Sequence, residues 1–117
     1  MAALILYHNP RCSKSREALA LLSAHDIDLQ VRRYLDDPLD LEELRSLAAR
    51  LDAPLASLVR SNEAEWKALG LSEADDEACL AAIAEHPRLL QRPILDRGDR
   101  AVIGRPPEAI LTLIDSK

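Results

Sequence analysis

The stretch ALILYHNPRCSKSREALALL, residues 3–22, predicts a strand, a turn and a helix in that order. The continuous apolar run Ala3–Tyr7 is typical of a central strand that is buried on both faces. His8-Asn9-Pro10 is a turn signal that ends this strand. From about residue 13 to residue 25, apolar side chains recur with the period of a helix. The pattern therefore predicts that Cys12 lies at the N-terminus of a helix that follows a buried strand.

Later segments extend this unit to a mixed α/β fold. Asp28–Tyr34 is rich in β-forming residues and predicts a second strand. After a long helical block, Ile94-Leu95 and Ala101–Ile103 predict two strands joined by a turn at residues 96–99, and Glu108–Ile114 predicts a last helix. The order β-α-β followed by β-β-α is similar to the thioredoxin-like fold, a four-stranded mixed sheet with helices on both faces.

The helical block, about residues 40–90, is expected as an insertion in that fold. Asp40 and Glu43 have the spacing of a capping box at the start of its first helix. Another helix is expected over Glu63–Leu69. Ser72 is expected to cap a further helix that runs to His86.

Length, charge and cysteine content exclude several classes of protein. The 117 residues fit a single domain over residues 1–117, expected to be a monomer. The net charge of -5 argues against general binding to nucleic acid or to an anionic membrane. No signal-peptide pattern opens the chain, and no apolar stretch has the roughly 18 residues of a membrane span. The two cysteines, Cys12 and Cys79, suggest neither a disulfide framework nor a zinc site, so we expect a metal-free protein of the reducing cytoplasm.

The predicted position of Cys12 favours its ionised form. At the start of a helix, unpaired backbone N–H groups and the positive end of the helix dipole attract an anion. A thiolate is such an anion, and Arg11, Lys14 and Arg16 add positive charge nearby. Because the thiolate is the nucleophilic form of cysteine, the sequence predicts an activated nucleophile. The same N–H groups are suited to hold a tetrahedral oxyanion.

The other polar residues near Cys12 leave alternatives open. His8 either tunes the thiol and accepts its proton, or only satisfies hydrogen bonds of the turn. Ser13 and Ser15 either cap the helix or bond to the sulfur. Ser15 stands where a Cys-x-x-Cys motif has its second cysteine, so reducing equivalents must come from another molecule. Cys79 lies on an apolar helical stripe and is expected to be a core thiol, with a resolving cysteine as the alternative.

Four separated motifs resemble the glutaredoxin-dependent arsenate reductase family. They are Tyr7-His8-Asn9-Pro10-x-Cys12 with Ser15-Arg16, Leu58-Val59-Arg60, His86-Pro87 followed by Arg92-Pro93-Ile94, and Arg105-Pro106-Pro107-Glu108. They follow the family's order and span nearly the whole chain. The residues of these motifs are most similar to those of a paralogous branch whose members are often called arsenate reductases by similarity alone.

The resemblance implies roles for the residues around the first turn. It assigns the nucleophilic cysteine to Cys12 and the activating histidine to His8. Ser15 and Arg16 match supporting positions of the cysteine loop.

The resemblance also implies an oxyanion site made of Arg60, Arg92 and Arg105. Each of these arginines stands at the boundary of a predicted element. The planar, forked donors of a guanidinium group suit an oxyanion. The family further implies that the Arg92-Pro93 peptide bond is cis, which is uncommon for X-Pro bonds.

The function implied by the resemblance is reduction of arsenate to arsenite, for arsenic detoxification. Cys12 attacks arsenate, glutathione is the co-substrate, glutaredoxin is the protein partner, and no cofactor is bound. Two alternatives remain open: a thiol-disulfide oxidoreductase that acts on a glutathionylated substrate, and an Spx-like regulator that binds RNA polymerase. Since Spx-type proteins usually carry a second redox cysteine where this chain has Ser15, the motif favours an enzyme.

Overall fold

The computed structural model describes residues 4–25, 27–72 and 75–115. Its strands are β1 (Leu4–His8), β2 (Leu29–Arg33), β3 (Ile94–Asp96) and β4 (Ala101–Ile103). Its helices are α1 (Ser13–Ser23), α2 (Leu41–Arg50), α3 (Ala64–Leu69), α4 (Asp76–Glu85) and α5 (Leu111–Asp115), with 3₁₀ segments at Leu55–Leu58, Pro87–Leu89 and Pro107–Ile110. Ala3, the expected first residue of β1, lies outside the described residues, and β1 continues to His8.

The described strands form a four-stranded mixed sheet in the order β2-β1-β3-β4. β1 pairs in parallel with β2 and antiparallel with β3, and β3 pairs antiparallel with β4. β1 therefore has a neighbour on each side, as its continuous apolar run predicted. The topology confirms the thioredoxin-like α/β fold, and α2, α3 and α4 lie between β2 and β3 in the chain.

Side chains of β1 alternate between two hydrophobic cores. Leu4 and Leu6 belong to the core that contains α1 and the C-terminal helix. Tyr7 points to the opposite core, which contains residues of α2 and α4. A fully buried leucine stabilises the fold by roughly 1.5–3 kcal/mol. The helical insertion therefore covers one face of the sheet, and α1 and α5 cover the other.

The helix caps confirm one sequence prediction and correct another. At α2, the Glu43 N–H donates to Asp40 Oδ1 at 2.8 Å and the Asp40 N–H donates to Glu43 Oε1 at 3.2 Å, so the predicted capping box is present. At α4 the prediction was wrong, because the cap is Asp75, which accepts the Ala78 N–H at 3.1 Å. Ser72 lies three residues too early to cap this helix, whose last residue is Glu85 rather than the predicted His86.

A buried carboxylate at the end of β3 joins α2 to the sheet. Sequence analysis placed Asp96 in a hairpin turn, whereas the structure places it in β3 with 3 % of its surface exposed. Arg50 donates to both carboxylate oxygens, at 3.0 and 2.6 Å, and the Tyr7 hydroxyl donates to Oδ2 at 3.3 Å. Tyr7, Arg50 and Asp96 are called the Asp96 cluster below. Burial and then Asp96 raise the pKa of Tyr7 to about 12.

The turn after β3 requires glycine. Gly98 has φ of +100°, a conformation that side chains disfavour. Its N–H donates to Asp96 Oδ1 at 2.9 Å, which adds a further bond to the buried carboxylate.

No helix among the described residues has both the length and the apolar character needed to cross a bilayer.

Candidate active site

Cys12 is the N-cap residue of α1, as the sequence predicted. Its N–H donates to the Asn9 carbonyl at 3.0 Å, which closes the turn between β1 and α1. Burial raises the pKa of the Cys12 thiol, but the Ser15 N–H, the Arg92 guanidinium and the Lys14 N–H outweigh it, so the pKa lies below its usual value. The helix start and one arginine therefore stabilise the thiolate, which is partly accessible to solvent.

Arg92 and Arg105 come from the C-terminal part of the chain, and both side chains lie at the Cys12 sulfur. Arg105 Nη2 lies 3.8 Å from Cys12 Sγ, and Arg105 Nε donates to the Arg92 carbonyl at 2.9 Å. The Arg92-Pro93 peptide bond is cis, as the resemblance implied, and Arg105-Pro106, which was not predicted, is also cis.

Gly104 fixes the distance between these two arginine-bearing segments. Its N–H donates to the Pro93 carbonyl at 2.8 Å. A Cβ at this position would lie 2.8 Å from Pro93 Cγ and 3.0 Å from Ile110 Cγ2. A larger residue would therefore push apart the loops that bring Arg92 and Arg105 to Cys12.

Arg60 completes the group of three arginines. Burial lowers its pKa, and the charges of Arg92 and Arg105 lower it further, while Glu63 opposes them. Arg60 Nη1 donates to Glu63 Oε1 at 2.6 Å, and the backbone N–H of Arg60 donates to the Leu89 carbonyl at 2.7 Å. Hence Arg92 and Arg105 lie at the sulfur, and Arg60 lies near enough for the charges of both to lower its pKa. We call Cys12 and these three arginines the anion site.

His8 and Ser15 form a buried pair behind the cysteine. His8 Nδ1 and Ser15 Oγ are 2.6 Å apart, and the Asn9 N–H donates to Ser15 Oγ at 3.0 Å. Burial, followed by the charges of Arg33 and Arg16, lowers the pKa of His8, so the ring is neutral at neutral pH. Because Ser15 Oγ accepts from Asn9, its proton is available to His8 Nδ1. Among the described residues, His8 bonds to Ser15 and not directly to the Cys12 sulfur.

The side chains of Ser13 and Ser15 neither cap α1 nor account for the lowered pKa of the Cys12 thiol. α1 has no side-chain cap hydrogen bond, so of the two alternatives left open for Ser13 and Ser15, capping by their side chains is wrong. The Ser15 hydroxyl is fully buried and bonded to His8, and Ser15 reaches the sulfur through its backbone N–H. The physical reason is that Cys12 itself occupies the cap position.

The cationic residues of the first turn have local partners. Arg16 Nη1 donates to the Pro10 carbonyl at 3.0 Å, and Lys14 lies 3.8 Å from Glu17. Arg11 is exposed. These charges border the anion site, whereas the arginines that reach it come from the helical insertion and the β3–β4 region.

Cys79 lies in the core rather than at the surface. It is fully buried in the core beside α2, and its thiol lies 3.9 Å from the Ser72 carbonyl. This environment is that of the predicted core thiol.

Sequence analysis did not single out Tyr34, Asn9 or Glu63. Tyr34 is fully buried, and Asn9 is 5 % exposed. Asn9 Oδ1 accepts the Arg11 N–H at 3.0 Å and so shapes the cysteine loop. The sequence did contain a signal for Tyr34, since this residue immediately follows the predicted second strand. Parallel strands end at the same edge of a sheet, so the end of β2 lies beside the turn that follows β1.

The fold and this geometry define a thioredoxin-like protein with an activated cysteine in an arginine-rich anion site. The model of the ArsC family matches residues 7–113, and the chain belongs to that family.

Individual proteins that are similar to this chain support the same family assignment. The chain is 44 % identical over 113 residues to a protein of Neisseria meningitidis serogroup A named arsenate reductase, covering 94 % of this chain and 97 % of the relative. It is 41 % identical over 112 residues to Uncharacterized protein YfgD of Escherichia coli K12, covering 93 % and 94 %. A solved structure titled arsenate reductase from Vibrio cholerae superposes with a TM-score of 0.86 at 43 % identity, covering 94 % of this chain and 96 % of that one.

Proposed function

We propose that this protein is an arsenate reductase that uses Cys12 as its nucleophile. The observation that carries this proposal is the convergence of Arg92 and Arg105 on the Cys12 sulfur at the N-terminus of α1. A thiolate needs only stabilising donors, but an arginine trio supplies more positive charge than one thiolate neutralises. The excess favours a small oxyanion bound over the sulfur. The relatives named arsenate reductase support this choice of oxyanion.

The first step forms a bond between Cys12 and arsenic. The Cys12 thiolate attacks arsenate, a sulfur–arsenic bond forms, and one arsenic–oxygen bond breaks with the oxygen leaving as water after protonation. Arg92 and Arg105 hold the remaining oxygens and stabilise their charge as the bonds rearrange. The positive charge of Arg60 adds to the attraction for the oxyanion.

Reduction requires thiols from other molecules. Ser15 occupies the second position of the Cys-x-x-Cys motif, and Cys79 lies in the core. Glutathione therefore adds to arsenic as a second thiol and displaces another oxygen as water. A glutaredoxin thiolate then attacks the glutathione sulfur and forms a glutaredoxin–glutathione mixed disulfide. The bond between arsenic and the glutathione sulfur breaks, and its electron pair stays on arsenic, which becomes trivalent while still bonded to Cys12. Water releases arsenite and restores Cys12. We place the reaction in the cytoplasm, where the glutathione pool is reducing.

The test is arsenite formation with glutathione and glutaredoxin. The wild-type protein should turn over arsenate, and Cys12→Ser should abolish turnover. Cys79→Ala is the matched control, because it removes the other thiol and should keep activity per folded molecule. A wild-type protein that is inactive with glutaredoxin and also with thioredoxin would contradict the proposal.

A second candidate function is thiol-disulfide exchange with a glutathionylated substrate. The partly exposed Cys12 sulfur at a helix start favours it, because this reaction needs only an accessible, activated thiolate. It predicts turnover of a glutathione mixed disulfide without arsenate. Arg105→Ala separates the two functions, since it should impair the arsenate reaction more than the exchange reaction.

A further inference from the structure

Two buried polar atoms beside the anion site lack hydrogen-bond partners among the residues that the structure describes. In the described part of the chain, three buried side-chain atoms have none: His25 Nδ1, Tyr34 Oη and Arg92 Nε. An unsatisfied buried polar atom costs roughly 1–3 kcal/mol, so native structures keep few of them without a reason. Tyr34 and Arg92 are neighbours, and their orphaned atoms are an acceptor and a donor.

The sheet register brings Tyr34 to the cysteine loop. β1 and β2 pair in parallel with His8 opposite Arg33, so the following residues, Asn9 and Tyr34, leave the sheet at the same edge. The Tyr34 ring is fully buried and lines a small apolar space with Leu39 and Leu90. Burial raises the pKa of the Tyr34 hydroxyl, and the adjacent Arg92 and Asn9 side chains oppose that shift. The hydroxyl therefore lies at the edge of the core, close to the Arg92 guanidinium.

Arg92 is held weakly by its other contacts. Its Nη1 donates to the Arg88 carbonyl at 3.3 Å, which is long for such a bond. No carboxylate pairs with it in the described residues, unlike Arg50, which bonds Asp96, and Arg60, which bonds Glu63. A carboxylate would orient the guanidinium but would also cancel the charge that an anion needs. A neutral hydroxyl orients it without that loss.

We propose that Tyr34 is a positioning residue that orients Arg92 toward Cys12 and toward the anion bound there, by accepting a hydrogen bond from Arg92 Nε. This inference rests on the proposed anion site. When Cys12 is ionised the two orphaned atoms join, so that the Nη groups of Arg92 face the thiolate and, once an anion binds, its oxygens as well.

Tyr34→Phe tests this role because it removes only the hydroxyl. The Tm should stay the same or rise, since an unsatisfied buried group is lost. The pH profile of Cys12 alkylation by iodoacetamide should move to higher pH. The arsenate concentration that half-protects Cys12 from alkylation should rise roughly five-fold, the equivalent of one lost hydrogen bond.

Tyr7→Phe is the matched control. Tyr7 is also a buried tyrosine, but its hydroxyl is already bonded to Asp96. This variant should lower the Tm and leave the alkylation profile and arsenate protection unchanged. If Tyr34→Phe instead lowers the Tm and leaves both Cys12 measurements unchanged, the hydroxyl is structural and the proposal is overturned.

A double mutant establishes whether Tyr34 acts through Arg92. Arg92→Lys has no Nε–H donor, so adding Tyr34→Phe to it should change Cys12 alkylation no further. A full additional loss in the double mutant would show that Tyr34 acts directly, which overturns the positioning role. If arsenate and phosphate fail to protect wild-type Cys12, the anion site itself is contradicted. The alkylation profile without any anion still decides whether Tyr34 acts on Cys12 through Arg92.

Discussion

The Asp96 cluster and the anion site both depend on partly buried arginines, but only one of them is complete. In the Asp96 cluster, Arg50 donates to both oxygens of a carboxylate that is 3 % exposed. In the anion site, Arg92 and Arg105 face a single sulfur, and Arg92 Nε has no hydrogen-bond partner in the described part of the chain. The first arrangement has matched charges, and the second has an excess of positive charge.

This difference separates stability from binding within one small sheet. A matched buried pair adds little net stability when formed, but removal of one partner is costly because the other charge remains buried. An unmatched cationic group destabilises the empty protein and stabilises it again when an anion binds. Substitutions in the Asp96 cluster should therefore change folding, and those in the anion site should change ligand affinity.

Arg50→Ala should give the largest effect, on stability alone. It leaves the Asp96 carboxylate buried without its cation, which costs about 3–5 kcal/mol of unfolding free energy. That is a large fraction of the stability of a domain of this size. Urea unfolding measures the loss, and arsenate turnover per folded molecule should stay unchanged. Loss of turnover in fully folded Arg50→Ala would show that the two regions are coupled.

Arg105→Ala should give the complementary result. It removes the guanidinium that lies 3.8 Å from the sulfur. Loss of one donor to developing charge typically costs about 3 kcal/mol, or roughly a hundred-fold in kcat/KM. The pH profile of Cys12 alkylation should also move to higher pH, because a positive charge near the thiolate is lost. The Tm should not fall, since Arg105 has no carboxylate partner among the described residues; a fall of several degrees would contradict the comparison.

The strand, turn and helix at residues 3–22 could be predicted because their signals are local. Apolar periodicity and turn residues identified β1 and α1, and the helix start placed Cys12 at its cap. The cap of α4 was predicted wrongly because Ser72 and Asp75 are both good capping residues, and only the real start of the helix selects between them.

Long-range contacts explain what sequence analysis missed. Asp96 has the composition of a turn residue, and its burial depends on Arg50, 46 residues away in the chain. Tyr34 has an ordinary strand-end sequence, and only the register of β1 with β2 places it at the cysteine loop. The arginines of the anion site were found through the family motifs, because a lone arginine is usually a surface residue.

Strongly alkaline pH should destabilise the fold through the Asp96 cluster. The Tyr7 pKa is raised in the folded protein from 10.0 to about 12. A raised pKa of this kind gives stability that is fully present below pH 10 and is lost as the pH rises through about 12. The loss between these values should be about 2 kcal/mol. Urea unfolding at several pH values should show it, and Tyr7→Phe should lack this part of the alkaline decline.

Glu63→Gln should give the smallest effect, a change in arsenate affinity. It compares Arg60, which has a carboxylate partner, with the other arginines of the anion site. Glu63 is the acidic partner of Arg60, with Nη1 and Oε1 2.6 Å apart and both side chains 23 % exposed. Glutamine keeps a hydrogen-bond acceptor but removes the negative charge, so the net positive charge at the site increases. Solvent screens a pair this exposed, and the dissociation constant for arsenate should fall only about two- to three-fold.

Glu65→Gln is the control for this last effect. It makes the same change in net charge, but Glu65 pairs with His86 and Arg88 instead of an arginine of the anion site. Calorimetric titration with arsenate should therefore show tighter binding for Glu63→Gln than for Glu65→Gln. If Glu63→Gln binds arsenate more weakly than wild type, then the carboxylate is needed to hold Arg60 in place. In that case Arg60 would contribute to arsenate affinity because Glu63 holds its side chain in place. A matched ion pair would then support ligand binding as well as folding.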